Sequence, residues 1–169
     1  MKYTNFNKML DKKIGKVYTY AEARVKIESY CVYQERSQQE VRDKLYKFNL
    51  STQDVENLIA YLIEENFINE LRFARAYVSG KFRIKKWGRR KIMQGLKLKG
   101  VPEPLIKKAF SEIIEEEYLD VLKELIDKKR TELGLKRDLK SKNKLYNYAL
   151  SKGYESNLIF LALSNNELE

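Results

Sequence analysis

A chain of 169 residues with 43% hydrophobic and 34% charged residues and only two prolines has enough apolar surface for a packed interior and enough charge for long solvated helices. Its 34 Lys+Arg against 24 Asp+Glu give a net charge of +10, a field that attracts phosphate backbones or an acidic protein face. The absence of histidine and the single cysteine, Cys31, exclude an intramolecular disulfide and a Cys/His zinc site, and remove the commonest general base.

Taken in chain order, residues 1–18 form an N-terminal extension without an apolar signal-like core, and a soluble, cytoplasmic protein is expected. The only short β-like run, Val17-Tyr-Thr-Tyr20, reads more simply as the entry to a helix. Thr19-Tyr-Ala-Glu22 is a capping box, in which hydroxyl and carboxylate satisfy the free amides of a helix start. The helix runs to Gln34 with Ala23, Ile27 and Cys31 on one face, and Val25 and Tyr30 are expected beside them. Ser37-Gln-Gln-Glu40 is a second capping box, opening a helix with Val41, Leu45 and Phe48 inward and Asn49 at a left-handed C-terminal position. A third helix carries Val55, Leu58, Ile59 and Leu62 inward.

The same pattern then returns. Ser37, Val41, Leu45 and Asn49-Leu50 match Gly88, Ile92, Leu96 and Gly100-Val101 at an offset of 51 residues, and a weaker copy through Ser141, Leu145, Ala149 and Gly153-Tyr154 follows at 53. Asparagine or glycine stands at the turn in every copy, the residue types that enter the left-handed region at low cost. The first helix of the second copy starts near Asn69-Glu70 with Phe73 or Ala74, Tyr77 and Val78 buried and ends in the cluster Lys81–Gly88, and the copy closes with Ile106, Ala109, Phe110 and Ile113. Glu112 to Asp120 reads as an acidic helical stretch running on toward Leu133, and Gly134 to Lys140 as a loop. A period of this length implies one three-helix brick stacked on copies of itself, and an all-α fold: an elongated array of three tandem three-helix repeats. The expected boundaries are 19–68, 69–116 and 117–169. No apolar run approaches the ~20 residues of a membrane span, and no heptad seam points to self-association, so a monomer is expected.

Catalytic signals are weak. No Gly-rich phosphate loop or nucleophile elbow occurs, and the carboxylates Glu64-Glu65, Glu112 and Glu115–Glu117 lie in helix patterns facing water. The expectation is a binding protein that is not an enzyme and holds no cofactor or metal.

The sharpest anomaly is electrostatic. Between Lys81 and Lys108 stand eleven basic residues and one acid, Glu103, with Phe82 and Trp87 interleaved. A basic turn with an aromatic platform suits a phosphate backbone or an acidic protein surface. A second basic run, from Lys128 through Arg137 to Lys144, could extend the stripe.

Arg72-Phe-Ala-Arg-Ala-Tyr77-Val78, then Trp87-Gly-Arg-Arg-Lys-Ile92 through Leu96 to Lys99-Gly100-Val101, preceded by Glu35-Arg-Ser37, Glu40-Val41 and Lys44-Leu45, resembles the RecX family of bacterial RecA regulators. The resemblance covers about Thr19 to Ile114 by motif and the third copy by architecture only. Acidic residues usually precede the Arg-Phe-Ala motif; here Asn69-Glu70 offers one carboxylate instead of two. The resemblance implies a regulator that lies in the groove of the RecA filament on single-stranded DNA and inhibits or modulates recombinase, ATPase and co-protease activity in DNA repair and the SOS response. The expected contacts are Arg89 and Arg90 above all, with Lys81, Arg83, Lys85, Lys86, Trp87, Lys91, Lys97 and Lys99, and Arg72 and Arg75 from the preceding helix. One rival is a direct DNA-binding protein whose helix Gly88–Lys99 enters the major groove in helix-turn-helix fashion, with Arg90 and Gln94 toward base edges. Another is a helical scaffold with no nucleic-acid link.

Overall fold

The computed structural model describes residues 17–136 and 138–165. Most of the N-terminal extension, Arg137 of the second basic run and the last four residues of the third copy lie outside the described residues. The described chain contains nine α-helices and no strand, as the all-α reading expects: α1 Tyr20–Tyr33, α2 Gln38–Tyr46, α3 Thr52–Glu64, α4 Glu70–Arg83, α5 Arg89–Leu98, α6 Glu103–Ala109, α7 Glu115–Glu132, α8 Leu139–Lys152 and α9 Ser156–Asn165. They fall in threes, as tandem three-helix repeats. The chain divides into two compact units at Asn69–Glu70.

In the first unit both capping boxes form. Thr19 caps Glu22 and Ser37 caps Glu40, each glutamate returning to the amide of its cap residue. Ala23, Ile27 and Cys31 meet Val41 and Leu45 from α2, Phe48 from the turn after it, and Val55, Leu58, Ile59 and Leu62 from α3 in one core. Cys31 is a core residue whose thiol is pushed up to about 11 by burial. Asn49 adopts φ 57, the left-handed turn its residue type suggested. Val25 does not lie beside the buried face: two residues from both Ala23 and Ile27, it points to the other side of α1 and is 64% exposed. Tyr30 is half-buried.

The second unit holds two repeats around one continuous core. Phe73, Ala74, Val78 and Phe82 of α4 meet Ile92 and Leu96 of α5, Ile106 and Ala109 of α6, and then Tyr118, Leu122 and Ile126 of α7, Leu145 and Ala149 of α8 and Ile159 and Ala162 of α9. Gly100 (φ 76) and Gly153 (φ 93) end α5 and α8 in the left-handed conformation. The following amides, of Val101 and Tyr154, reach back to the carbonyls of Leu96 and Ala149, and both side chains return to the core.

The helix from Glu70 ends at Arg83, inside the cluster Lys81–Gly88 where its end is expected, with Phe82 on its inward face fully buried. Two further sequence expectations need correction. The acidic stretch from Glu112 to Asp120 is not continuous: a 3-10 turn at Phe110–Glu112 ends at Ile113, whose extended backbone (φ -108, ψ 112) directs its side chain into the core, and α7 starts afresh at Glu115. The start of α7 has no side-chain cap, and Glu115–Glu117 in its first turn offset the positive end of the helix dipole. The helix of the third copy also opens before Ser141. Asp138 caps it by accepting from the Ser141 amide at 2.7 Å.

Glycine is required at position 88 for a tertiary reason. Its amide donates to the carbonyl of Lys152 at 2.9 Å, and a Cβ there would overlap the backbone of Gly153. Gly88→Ala is expected to cost about 1–3 kcal/mol in urea unfolding, as overpacking against backbone does. Gly80→Ala, in helical α4 with nothing near its missing Cβ, is expected to stabilise by about 0.5–1 kcal/mol.

Candidate partner-binding surface

The basic residues expected to make contacts separate by position. Lys81 and Arg83 lie on the last turn of α4, and Lys85, Lys86 and Trp87 form the turn to α5. Lys86 sits at φ 53, where its amide donates to Phe82 and that of Trp87 to Lys81. A β-carbon in the left-handed region is unfavourable, so the core attachment of Phe82 and Trp87 must hold the turn. Trp87 is half-buried against the core, with the Lys81 and Lys91 ammoniums 5.0 Å and 4.9 Å from its ring centroid. The indole is therefore committed to core and cations and is not an open stacking platform. Phe82, being buried, presents nothing to a partner.

The start of α5 is closed by the third repeat. The amides of Gly88 and Arg90 donate to the carbonyls of Lys152 and Gly153, and the Arg89 amide donates to the Tyr118 hydroxyl at 2.9 Å. The C-terminal end of α8 thus satisfies the donors that a helix start leaves open, and the two helix dipoles meet with opposite ends together. Tyr118 is fully buried and donates in turn to Glu155 at 2.7 Å. Burial is the main cause that pushes its phenol far above the ordinary range, so the hydroxyl remains a donor across the accessible pH range. The Arg89 guanidinium stacks 4.1 Å from the Tyr118 ring centroid, contacts Glu115 at 2.6 Å and is 20% exposed at the side chain. Lys91 donates to the Ser151 carbonyl at 3.0 Å. Arg89 and Lys91 therefore serve the joint between the two repeats.

Other charges are paired loosely. Arg75 meets Glu112 at 3.5 Å and Lys97 meets Glu103 at 3.4 Å, both across exposed side chains where such pairs contribute little. The Lys97 charge, with Lys107 beside it, holds the Glu103 carboxyl below its usual value. Arg72 is half-buried, and Lys99 places its ammonium 5.9 Å from the ring centroids of Phe73 and Tyr77. Among the described residues, Arg83, Lys85, Lys86 and Arg90 make no ion pair.

Sequence reasoning missed two kinds of residue. Tyr118, Gly153 and Glu155 build the joint, yet no local spacing ties them to Arg89. Met93 and Leu98 lie with Arg90, Gln94 and Lys97 along a shallow groove on the flank of α5, and Leu98 is 80% exposed. An apolar residue out of phase with the buried Ile92 and Leu96 was the available signal.

The architecture is that of a helical-repeat protein built from three-helix units, with a basic flank on its second repeat and, among the described residues, no metal-holding cluster. Two family models match it: "RecX, second three-helix domain" over residues 69–109 and "RecX, third three-helix domain" over residues 115–163. A curated "Regulatory protein RecX" of Clostridium perfringens (strain 13 / Type A) is 34% identical over 137 residues, covering 78% of this chain and 64% of that protein. Another of that name, from Lactobacillus gasseri, is 30% identical over 141 residues, covering 83% and 52%. A crystal structure of RecX from Lactobacillus salivarius superimposes with a TM-score of 0.80 over 89% of this chain and 97% of that one at 21% identity, which speaks for the fold. The chain belongs to the RecX family. It spans about half to two thirds of the length of the curated relatives it matches.

The joint separates two substitutions that leave the helices' own sequence patterns intact. Tyr118→Phe removes the acceptor for the Arg89 amide in a buried setting and is expected to cost about 1–3 kcal/mol. Arg89→Ala, which loses a part-exposed ion pair and a ring contact, is expected to cost less, about 0.5–1.5 kcal/mol. Chemical denaturation followed by circular dichroism measures both.

Proposed function

We propose that this chain is a non-enzymatic regulator that binds the RecA filament on single-stranded DNA and inhibits or tunes its ATPase, strand exchange and co-protease activity, in the cytoplasm and as a monomer. Membership of the RecX family and the name of its relatives support this reading. The observation that carries the site is the set of cations without an ion pair, Arg83, Lys85, Lys86 and Arg90, beside the groove of Met93, Gln94, Lys97 and Leu98. Lys81, Arg72, Arg75 and Lys99 flank it, while Trp87 acts by holding the turn and Arg89 and Lys91 by holding the joint between the repeats. The functional bricks in this reading are residues 19–68, 69–116 and 117–169.

The helix-turn-helix alternative meets a physical obstacle. A recognition helix presents its N-terminal residues to base edges, whereas the first amides of α5 are hydrogen-bonded to α8 and Tyr118. An apolar Leu98 and Met93 between cations also suit a protein surface better than a base edge.

The test is the single-stranded-DNA-dependent ATPase of RecA with sub-stoichiometric amounts of this protein. Wild type is expected to inhibit, and Arg83→Glu/Lys86→Glu/Arg90→Glu to require at least about tenfold more protein, since like-charge contacts at an interface cost several kcal/mol. Inhibition should weaken as salt rises. No inhibition, together with tight sequence-specific duplex binding, would favour the helix-turn-helix reading.

A further inference from the structure

The first unit carries a second surface that the regulatory reading does not use. On α1, Val25, Ser29 and Tyr33 stand four residues apart on the side away from the core, with Val32 beside them. Val25, Val32 and Tyr33 are 64%, 73% and 82% exposed. The helix is thus apolar on both sides, and among the described residues only one side packs into a core. Between α1 and the end of α2 lies a groove of about 600 Å³ lined by Val25, Lys26, Tyr30, Tyr33, Lys44 and Phe48 among others.

The electrostatics select the occupant. Lys26 lies 5.4 Å from the Tyr18 ring centroid, Arg36 3.9 Å from that of Tyr30, and Lys44 5.7 Å and 5.6 Å from those of Tyr30 and Phe48. The carboxylates around the groove have hydrogen-bond partners of their own, Glu40 in the capping box, Asp43 with the Gln39 amide, and Glu28 with Arg24 and the Tyr61 hydroxyl, and none of them lines it. The ring faces are therefore occupied by cations, which a stacking nucleobase would have to displace. A carboxylate would instead join those cations, while an apolar side chain fills the space against Val25 and Tyr33.

We propose that the α1–α2 groove docks an acidic peptide segment of a protein partner, anchored by one or two apolar side chains. Carboxylates of the segment meet Lys26 and Lys44, and its anchor covers the outer face of α1. Bulky apolar residues clustered at the surface beside lysines are the pattern expected of such a contact. The proposal is independent of the surface on the second repeat.

The test uses the 15N-labelled full chain and, as probe, the capped synthetic peptide Asp-Glu-Leu-Phe-Glu-Asp, followed by amide chemical shifts. Shift changes are expected at Lys26, Tyr30, Tyr33 and Lys44. Lys26→Glu/Lys44→Glu and Val25→Ser/Tyr33→Ser, all exposed or half-exposed positions whose circular dichroism should match wild type, are each expected to weaken binding about tenfold or more. Arg90→Glu should leave it unchanged. The idea is overturned if the peptide shifts no groove amide at millimolar concentration, if the groove variants bind it as wild type does, or if an oligothymidylate occupies the groove and is lost with the same variants.

Discussion

The end of α8 closes the beginning of α5. Carbonyls of Lys152 and Gly153 take the amides of Gly88 and Arg90, the Tyr118 hydroxyl takes that of Arg89, and the glycines let two backbones approach where a β-carbon would not fit. A buried helix start with open donors would cost about 1–3 kcal/mol for each unsatisfied amide. Supplying the acceptors from the next repeat makes that cost the reason for a fixed register. Phe82, Tyr118 and Tyr154 then stack in sequence, with ring centroids 5.7 Å and 5.0 Å apart, so the cores of the two repeats become one.

That constraint sorts the positive charges. Arg89 and Lys91 sit at the joint and turn toward Glu115 and Ser151, while Lys81 covers the indole of Trp87. Charge left for a partner lies on the end of α4, the turn after it and the flank of α5. With a net charge of +10, the chain as a whole carries a field that favours acidic targets.

The parts of this design that depend on short spacings are legible in the sequence. Capping boxes at Thr19 and Ser37, left-handed turns at Asn49, Gly100 and Gly153, and the buried faces of α2 and α3 each follow from residues within one or two turns of each other. Gly88 was legible only as a marker of the repeat, because its reason is the backbone of Gly153 in the next copy. Tyr118 follows three glutamates and looks like any amphipathic position until Arg89 and Glu155 are placed around it. Arg89 and Arg90, together the strongest expectations for a contact, differ only by the 100° turn of a helix. That turn directs one guanidinium to Tyr118 and the other to solvent. Long-range partners decide such cases, and a local pattern does not contain them.

Native-state amide hydrogen exchange on the isolated chain tests the joint most directly. If α8 closes α5, the amides of Gly88, Arg89 and Arg90 exchange only when the second unit opens as a whole, with protection matching that of Ile92 and Leu96. Exchange at these three positions as fast as at an ordinary exposed helix start, with Ile92 and Leu96 still protected, would contradict it.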